Sequence, residues 1–555
     1  MVLHASTSAP VRIVPLGGLG EIGLNLSVLE CAGRAIVIDA GVMFPEERGL
    51  GLGVLAPELG YLERSGLEIL GVILTHAHED HIGALGHLLR ISNAPVYGTG
   101  LTLAFARRRL DEDGLIGARM VEVQPRQRLE LGPFAIEPLR VTHSTPDSLG
   151  LAITTPAGLI VHSGDFKIDP APVDGQLFDR DRFAELGAQG VALLLSDSTN
   201  VERTGRTGSE SSLRPVLREI AARVRGKFFL SVFSSHIHRI RQLTEVSREA
   251  GRRVVPLGRR MAESVRLGTE LGQLPFPPGT FIEPAEAQFL ESRRLTYLAS
   301  GSQGEPLSAL ARIAADNHPR ACVEPGDTVV LSSRFIPGNE RTINTLVNNL
   351  CKRGAEVLYE AVAPVHVSGH ASRDELAELI SLVRPKHFVP IHGEYRHLRR
   401  HLALAIESGI PEAKCFLLED GEPLVLNAGV VHRARAVEAG RVLVEDGEFG
   451  DPALLGERRA LGRDGTVFAV LAISAGSGVI VAGPELVSRG IVIGDGTSMH
   501  MRRARAQLVE RLNRIEGPFS AAGSLLREEI VRALRSYFSH VLGKRPLIVP
   551  HIMEV

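Results

Sequence analysis

From Val11 onward the chain alternates short apolar runs with glycine: RIVPLGG, NLSVLEC, RAIVIDAG, then LEILGVILTHAH. Such brief runs of Val, Ile and Leu predict strands buried on both faces, and hence a layered α/β domain. Further strands are predicted at FAIEPLRVTH, LAITTP, LIVHSGD and VALLLSDS, with Pro, Gly and Asp in the turns between them. Many strands before many helices departs from the strict alternation of a doubly wound sheet. After Asn200 the period changes. SSLRPVLREIAARVRG and HRIRQLTEVSREAGRR carry apolar positions at helical spacing with Arg on the opposite face, in a region that runs to about Val365. From Ser372 the pattern predicts helix, strand and helix, and it weakens after about Val431. From TVFAVLAI to the C-terminus it reads strand, strand, helix, helix, strand, a small α/β appendage. The expected organisation is therefore a domain over 1–205 that resumes at 371–450, an inserted domain over 206–370, a linker over 451–465 and a C-terminal domain over 466–555.

Gly18-Leu19-Gly20-Glu21-Ile22-Gly23 matches the dinucleotide fingerprint G-x-G-x-x-G, which requires its third glycine to open a helix. The next residues, NLSVLECAGRAIVIDAG, are strand-like, so a tight turn between strands is expected instead.

Composition narrows the classes. A chain of 555 residues with 44% hydrophobic and 23% charged residues is not mainly disordered or fibrous. Its net charge of −2 gives no global attraction to nucleic acid or anionic lipid, so any polyanion must meet a local basic surface. Arg outnumbers Lys by 56 to 6, which matches GC-rich codon usage, since Ala and Gly are also abundant. Cys31, Cys322, Cys351 and Cys415 form no C-x-x-C pair, so neither a disulfide framework nor a thiolate zinc knuckle is indicated. Residues 1–20 lack the basic start and apolar stretch of a secretory signal, and no window approaches a membrane span. No membrane association and a cytoplasmic location are expected.

The chemistry concentrates in Leu74-Thr75-His76-Ala77-His78-Glu79-Asp80-His81, directly after the apolar run GVIL. At an extended strand end His76 and His78 point to the same side, while Asp80 and His81 fall where a helix begins and turn toward a second point nearby. Imidazoles and a carboxylate suit Zn²⁺ and also Mn²⁺. Further ligands are sought at other strand ends: His143 in RVTHSTPDS, Asp165 in VHSGDFK as a carboxylate able to bridge two ions, and His392 in FVPIHGEYRH.

The run His76-Ala77-His78-Glu79-Asp80-His81 resembles the His-x-His-x-Asp-His motif of the metallo-β-lactamase superfamily. The resemblance implies an αββα sandwich holding two divalent ions per chain. It gives His76, His78 and His143 to one ion, Asp80, His81 and His392 to the other, and Asp165 to both. The long region between Asp197 and Val365, about 165 residues, is a domain rather than a loop, and small-molecule hydrolases of that superfamily would not need it. With its flanks it resembles the β-CASP nucleases, whose extra motifs are matched by Asp197 in LLLSDSTN, His370 in HVSGHAS and His392. Within that family histidine at the third motif is similar to the RNA-acting branch, and valine marks the DNA-repair branch. GGLGEIGLN, SDSTNVE, FSSHIHR, GSQGEP, HVSGHAS, PIHGEYRHL and PLIVPHIMEV resemble the bacterial ribonuclease J family over nearly the whole chain.

Two close divalent ions activate a shared water and stabilise both the attacking and leaving oxygens of a displacement. The resemblance implies single-stranded RNA as substrate, degraded 5′→3′ with preference for a 5′-monophosphate, and internal cutting as well. Asp80, Asp165, Asp197 and His370 are the expected catalytic residues. Ser234, Ser235 and His236, with His366, Val367, Ser368, Gly369 and His370, are the expected substrate-binding residues, since both segments join hydroxyls or glycine to imidazole before a helix start. For FSSHIH the alternative is a helix N-cap. Arg107–Arg109, Arg252-Arg253, Arg259-Arg260 and Arg293-Arg294 offer a backbone track, against which stands an ordinary solvated face. The C-terminal appendage resembles the family's oligomerisation domain, implying a homodimer or homotetramer. A DNA-directed nuclease of the same family and a small-molecule metallo-hydrolase are the competing readings.

Overall fold

The computed structural model describes residues 9–44, 53–305, 307–335, 339–445, 448–449, 452–491, 497–515, 519 and 524–555. Two sheets lie face to face in its larger unit. One has eight strands, in the order Val430–Arg433, Leu424–Asn427, Val11–Gly17, Leu26–Cys31, Arg34–Ile38, Glu68–Ile73, Val96–Gly98 and Met120–Glu122. The other has six: His387–Ile391, Val191–Asp197, Gly158–His162, Leu149–Thr155, Phe134–Arg140 and Leu129–Leu131. Their central strands are buried on both faces, and the period of two decides what each residue meets. Ile36 and Ile38 join Ile136, Leu151, Ile160 and Leu193 in the core between the sheets, whereas Ala35 and Val37 pack outward with Leu85, Leu88 and Phe105 of the helices over the first sheet. On the far side of the second sheet, Val161, Leu194 and Phe388 pack against Phe183, Leu379 and Leu404 of helices Arg180–Gln189, Arg373–Val383 and Tyr395–Glu407. Helix, sheet, sheet and helix follow as four layers, the αββα sandwich.

The chain leaves this sandwich after Asp197 and returns before Arg373. Between lies a parallel five-stranded sheet ordered Arg253–Leu257, Leu295–Ala299, Phe228–Ser231, Thr328–Leu331 and Glu356–Leu358. Leu230, Val254 and Val330 face helices Leu213–Arg223, Ile237–Glu249 and Arg259–Glu270, while Phe229, Val255 and Val329 face helices Ala309–Ala314 and Glu340–Lys352. The glycine-rich fingerprint opens no helix: Gly18, Gly20 and Gly23 take positive φ between Val11–Gly17 and Leu26–Cys31, with Gly20 in the short strand Leu19–Gly20.

In the second unit, strands Ile480–Arg489, Thr466–Ile473 and Leu547–Glu554 form a sheet packed on helices Thr497–Leu512 and Ser524–Leu542 through Val467, Leu471, Leu508, Ile530 and Phe538. The stretch 451–465, expected as a linker, contains an α-helix over Pro452–Asp464. Among the described residues no helix is long and apolar enough to cross a membrane.

Candidate metal centre

Four parallel-running strands of the second sheet, and one of the first, end on a common rim. Asp197 pairs with Ile391, and Val161 with Leu194, so the residues just beyond these strands stand side by side. Asp165 follows Gly158–His162, His392 follows His387–Ile391, and Asp197 ends its own strand. A bridge between Thr142 and Lys167 draws in His143. His76 and His78 leave Glu68–Ile73 as loop, and a short helix over Glu79–Ile82 carries Asp80 and His81, as the pattern predicts. Gly41 makes that packing possible, because a Cβ there would lie 1.6 Å from the carbonyl oxygen of Asp80.

The seven expected side chains converge. Ligand atoms of His76, His78 and His143 lie within 4.8 Å of one another, as do those of Asp80, His81, Asp165 and His392. His78 Nδ1 is 3.0 Å from His76 Nε2 and 3.2 Å from His143 Nε2. Asp165 joins the two groups, with Oδ2 3.7 Å from His76 Nε2 and 3.2 Å from His81 Nε2, and Oδ1 2.8 Å from His392 Nδ1. Asp80 Oδ2 is 3.7 Å from His81 Nε2 and 3.5 Å from His392 Nε2. His370 Nδ1 donates to Asp197 Oδ2 across 2.8 Å.

Electrostatics separates the groups. Burial, together with the neighbouring imidazoles, holds His76 and His143 well below the ordinary histidine range and His78 at about 4, so their lone pairs are available. Burial works the same way on His81 and His392, but Asp165 and the surrounding carboxylates outweigh it, raising His81 and bringing His392 to about 10. Neutral imidazoles beside carboxylates that attract positive charge form a cation-binding set. Asp165 Oδ2 and His392 Nε2 are buried with no hydrogen-bond partner, and an ion would satisfy both. The residues therefore fit a divalent metal.

Several supporting groups carry no motif in the sequence. Asp39, within RAIVIDAG, accepts from His81 Nδ1 at 2.7 Å and from the Thr75 amide and hydroxyl at 2.8 Å each. Ser144 Oγ is 3.1 Å from His78 Nε2. Asp39 and His392 both adopt left-handed backbone, at φ 60° and 52°, a conformation that non-glycine residues hold only where packing imposes it. An Asp in a tight turn at a strand end was the available signal for Asp39. Such a carboxylate fixes the ring of a ligating histidine, so Asp39→Asn is expected to weaken metal binding by about 10–100-fold, read by titration of metal-free protein.

The expected substrate-binding residues fall in two segments. His366 to His370 borders the centre: Gly369 O accepts from His143 Nδ1 at 2.8 Å, and a Cβ at Gly369 would lie 2.8 Å from that ring. Ser368 Oγ accepts from the His370 amide. Ser234 and Ser235 lie in the turn after Phe228–Ser231. His236, rather than a serine, caps helix Ile237–Glu249 by accepting from the Arg239 amide. The arginine tracks are partly corrected. Arg252 is buried and donates to the carbonyls of Val224, Gly226 and Leu295, so it serves the fold. Arg108 is mostly buried, 3.5 Å from Glu79.

Buried Glu21, beside half-buried Asp420, braces the His392 turn: Glu21 O accepts from the Gly393 amide, and Arg441 ion-pairs with the Glu21 side chain. Burial, then the charge of Asp420, raises Glu21 to about 8. The folded state therefore binds more protons than the unfolded one between about pH 4.5 and 8, and stability falls as pH rises through that window. Glu21→Gln is expected to flatten that slope in denaturant titrations, by roughly 1–3 kcal/mol across the window.

Four family models match the chain: metallo-beta-lactamase superfamily over 23–198, ribonuclease J beta-CASP domain over 225–350, Zn-dependent metallo-hydrolase RNA specificity domain over 354–415, and ribonuclease J C-terminal domain over 453–555. Ribonuclease J 1 of Streptococcus pyogenes serotype M3 is 36% identical over 546 residues, covering 98% of this chain and 97% of its own. The chain belongs to the ribonuclease J family. Ribonuclease J of Thermus thermophilus is 38% identical over 98% of this chain and 95% of its own, and Ribonuclease J2 of Bacillus subtilis is 34% identical over 98% and 99%. A crystal structure of a protein of unknown function from Enterococcus faecalis V583 shares the fold, with a TM-score of 0.52 at 16% identity over 75% of this chain and 100% of that one.

Proposed function

We propose that the chain is a metal-dependent ribonuclease that hydrolyses RNA phosphodiester bonds. The convergence of His76, His78, His143, Asp80, His81, Asp165 and His392 in a family of this name carries the reading. Two divalent ions, zinc or manganese, would be held by His76, His78 and His143 on one side and by Asp80, His81 and His392 on the other, with Asp165 serving both. Bound there, divalent ions supply Lewis acidity toward a phosphoryl oxygen and lower the pKa of water.

The chain's own residues supply the rest. His370 is pushed down by burial, but Asp197 outweighs that and holds its proton above the ordinary histidine pKa. Its Nδ1 is committed to Asp197, so Nε2 carries the proton toward substrate, placed to neutralise charge on a phosphoryl oxygen or to protonate the departing oxygen. Ser368 and the backbone of 366–370 would position the phosphate beside it. The reading includes 5′→3′ exonuclease action favouring a 5′-monophosphate, internal cleavage, and assembly as a homodimer or homotetramer through 466–555. His392 favours RNA over DNA as substrate.

The test digests end-labelled single-stranded RNA bearing a 5′-monophosphate or a 5′-triphosphate, and a matched DNA strand, with Mn²⁺ and after chelation. RNA shortened from the 5′ end, faster with the monophosphate and abolished by chelator, is expected. Cleavage of DNA alone, or of RNA undiminished by chelator, would contradict the reading.

A further inference from the structure

Arg239 has no solvent exposure, and the sandwich and the inserted domain meet around it. It rises from the first turn of helix Ile237–Glu249. All five of its N–H groups are committed. Nε and one NH2 hydrogen hold the Glu210 carboxylate, NH1 donates to the Ser332 carbonyl and hydroxyl at 2.9 and 2.7 Å, and NH2 also donates to the Val367 carbonyl at 3.2 Å. The Ser332 hydroxyl in turn donates to Val365 O at 2.6 Å. Thus one planar fork grips the segment leading to His370 twice, directly at Val367 and through Ser332 at Val365.

The other end of the network is tied to the metal-centre loops. The Glu210 amide donates to Asp169 Oδ2 at 2.9 Å, Lys167 Nζ lies 3.3 Å from the same oxygen, and Lys167 O accepts from the Thr142 hydroxyl at 2.6 Å. Thr142 precedes His143, and Lys167 follows Asp165 by two positions. The network therefore sets the 366–370 segment against the loops that carry His143 and Asp165.

We infer that Arg239 is a positioning residue for phosphodiester cleavage: by holding Val365 and Val367 it fixes where Gly369 meets His143 and where His370 stands over the centre. The inference rests on the nuclease reading. Removing the fork leaves the Val367 carbonyl without its donor, and a displacement of His370 by about 1 Å is enough to slow chemistry by one to two orders of magnitude while leaving RNA affinity to other contacts.

A buried ion pair also supports the fold, so Arg239→Met alone exposes an uncompensated Glu210 charge and is expected to lower the melting temperature. The deciding variant is Arg239→Met with Glu210→Met, which removes both charges and keeps similar volume. In full-length protein loaded with Mn²⁺, the double variant is expected to regain most of the lost melting temperature. Its kcat on 5′-monophosphorylated RNA is nevertheless expected to stay about 10–100-fold below wild type, with KM changed less than about 3-fold. Amide hydrogen exchange across 365–371 should be faster than wild type in both variants. Arg239→Lys, with three donors for five acceptors, should fall between them. Recovery of kcat together with melting temperature in the double variant, or unchanged exchange across 365–371, would overturn the positioning role. If the wild-type chain cleaves no RNA, the nuclease reading itself fails, and the exchange comparison still decides whether Arg239 orders the segment.

Discussion

Asp165→Asn is expected to lower kcat for RNA hydrolysis by at least about 10³-fold, on the order of 4 kcal/mol in the barrier, together with a fall in bound metal. The substitution keeps the shape of the side chain and removes its charge. In the folded chain that charge is shared among His76, His81 and His392, whose ring nitrogens approach its two oxygens at 2.8–3.7 Å. Asp165 lies at ion-pair distance from both histidine groups, whereas Asp80 reaches only His81 and His392. An amide presents one acceptor and one NH2, so one flank would face a donor where a cation needs an oxygen. The fold should persist, because the residue lies beyond its strand on the rim rather than in the core between the sheets. Metal content by elemental analysis, circular dichroism and single-turnover RNA cleavage check the three parts together. Full activity at wild-type metal content would remove Asp165 from its proposed role.

His370→Ala is expected to reduce kcat by about 10²–10³-fold with metal content unchanged. The His370 side chain is 20% exposed where Asp197 is 1% and His392 is 3%, and its Nδ1 is held by Asp197. The pH dependence separates a proton-carrying role from packing. Asp197 raises the pKa of His370, so a rate that needs the protonated ring is retained at low pH and lost as pH rises through that pKa. Asp197→Asn withdraws the supporting charge, and the alkaline limb of the kcat profile should move to lower pH. An unmoved limb would show that the proton on His370 does not enter the rate.

How far the sequence spoke for this molecule depends on what kind of contact was at stake. Strands buried on both faces, such as VALLLSD and RAIVI, are legible because nearly every position is apolar, and the helical spacing of LRPVLREIAAR announces the inserted domain. The convergence of the candidate ligands was legible for a local reason: His76 to His81 crowd one strand exit, and the others sit at similar exits. Asp39 was not, because a single aspartate in a strand-end turn looks the same whether it closes the turn or holds a histidine 42 positions away. Arg252, just before a strand, and Arg239, on a helix, were hidden by the same ambiguity, since a basic residue there looks solvated until tertiary packing encloses it. The helix over Pro452–Asp464 lay in a stretch whose glycines and charges gave no clear apolar stripe.

The nuclease reading stands on seven converging side chains proposed to hold divalent ions. Crystals of Mn²⁺-loaded protein, active on RNA before crystallisation, would test this through the anomalous scattering of manganese. Two peaks are expected flanking the Asp165 carboxylate, one against His76, His78 and His143 and the other against Asp80, His81 and His392. A single peak in active protein, or peaks away from these residues, would refute it.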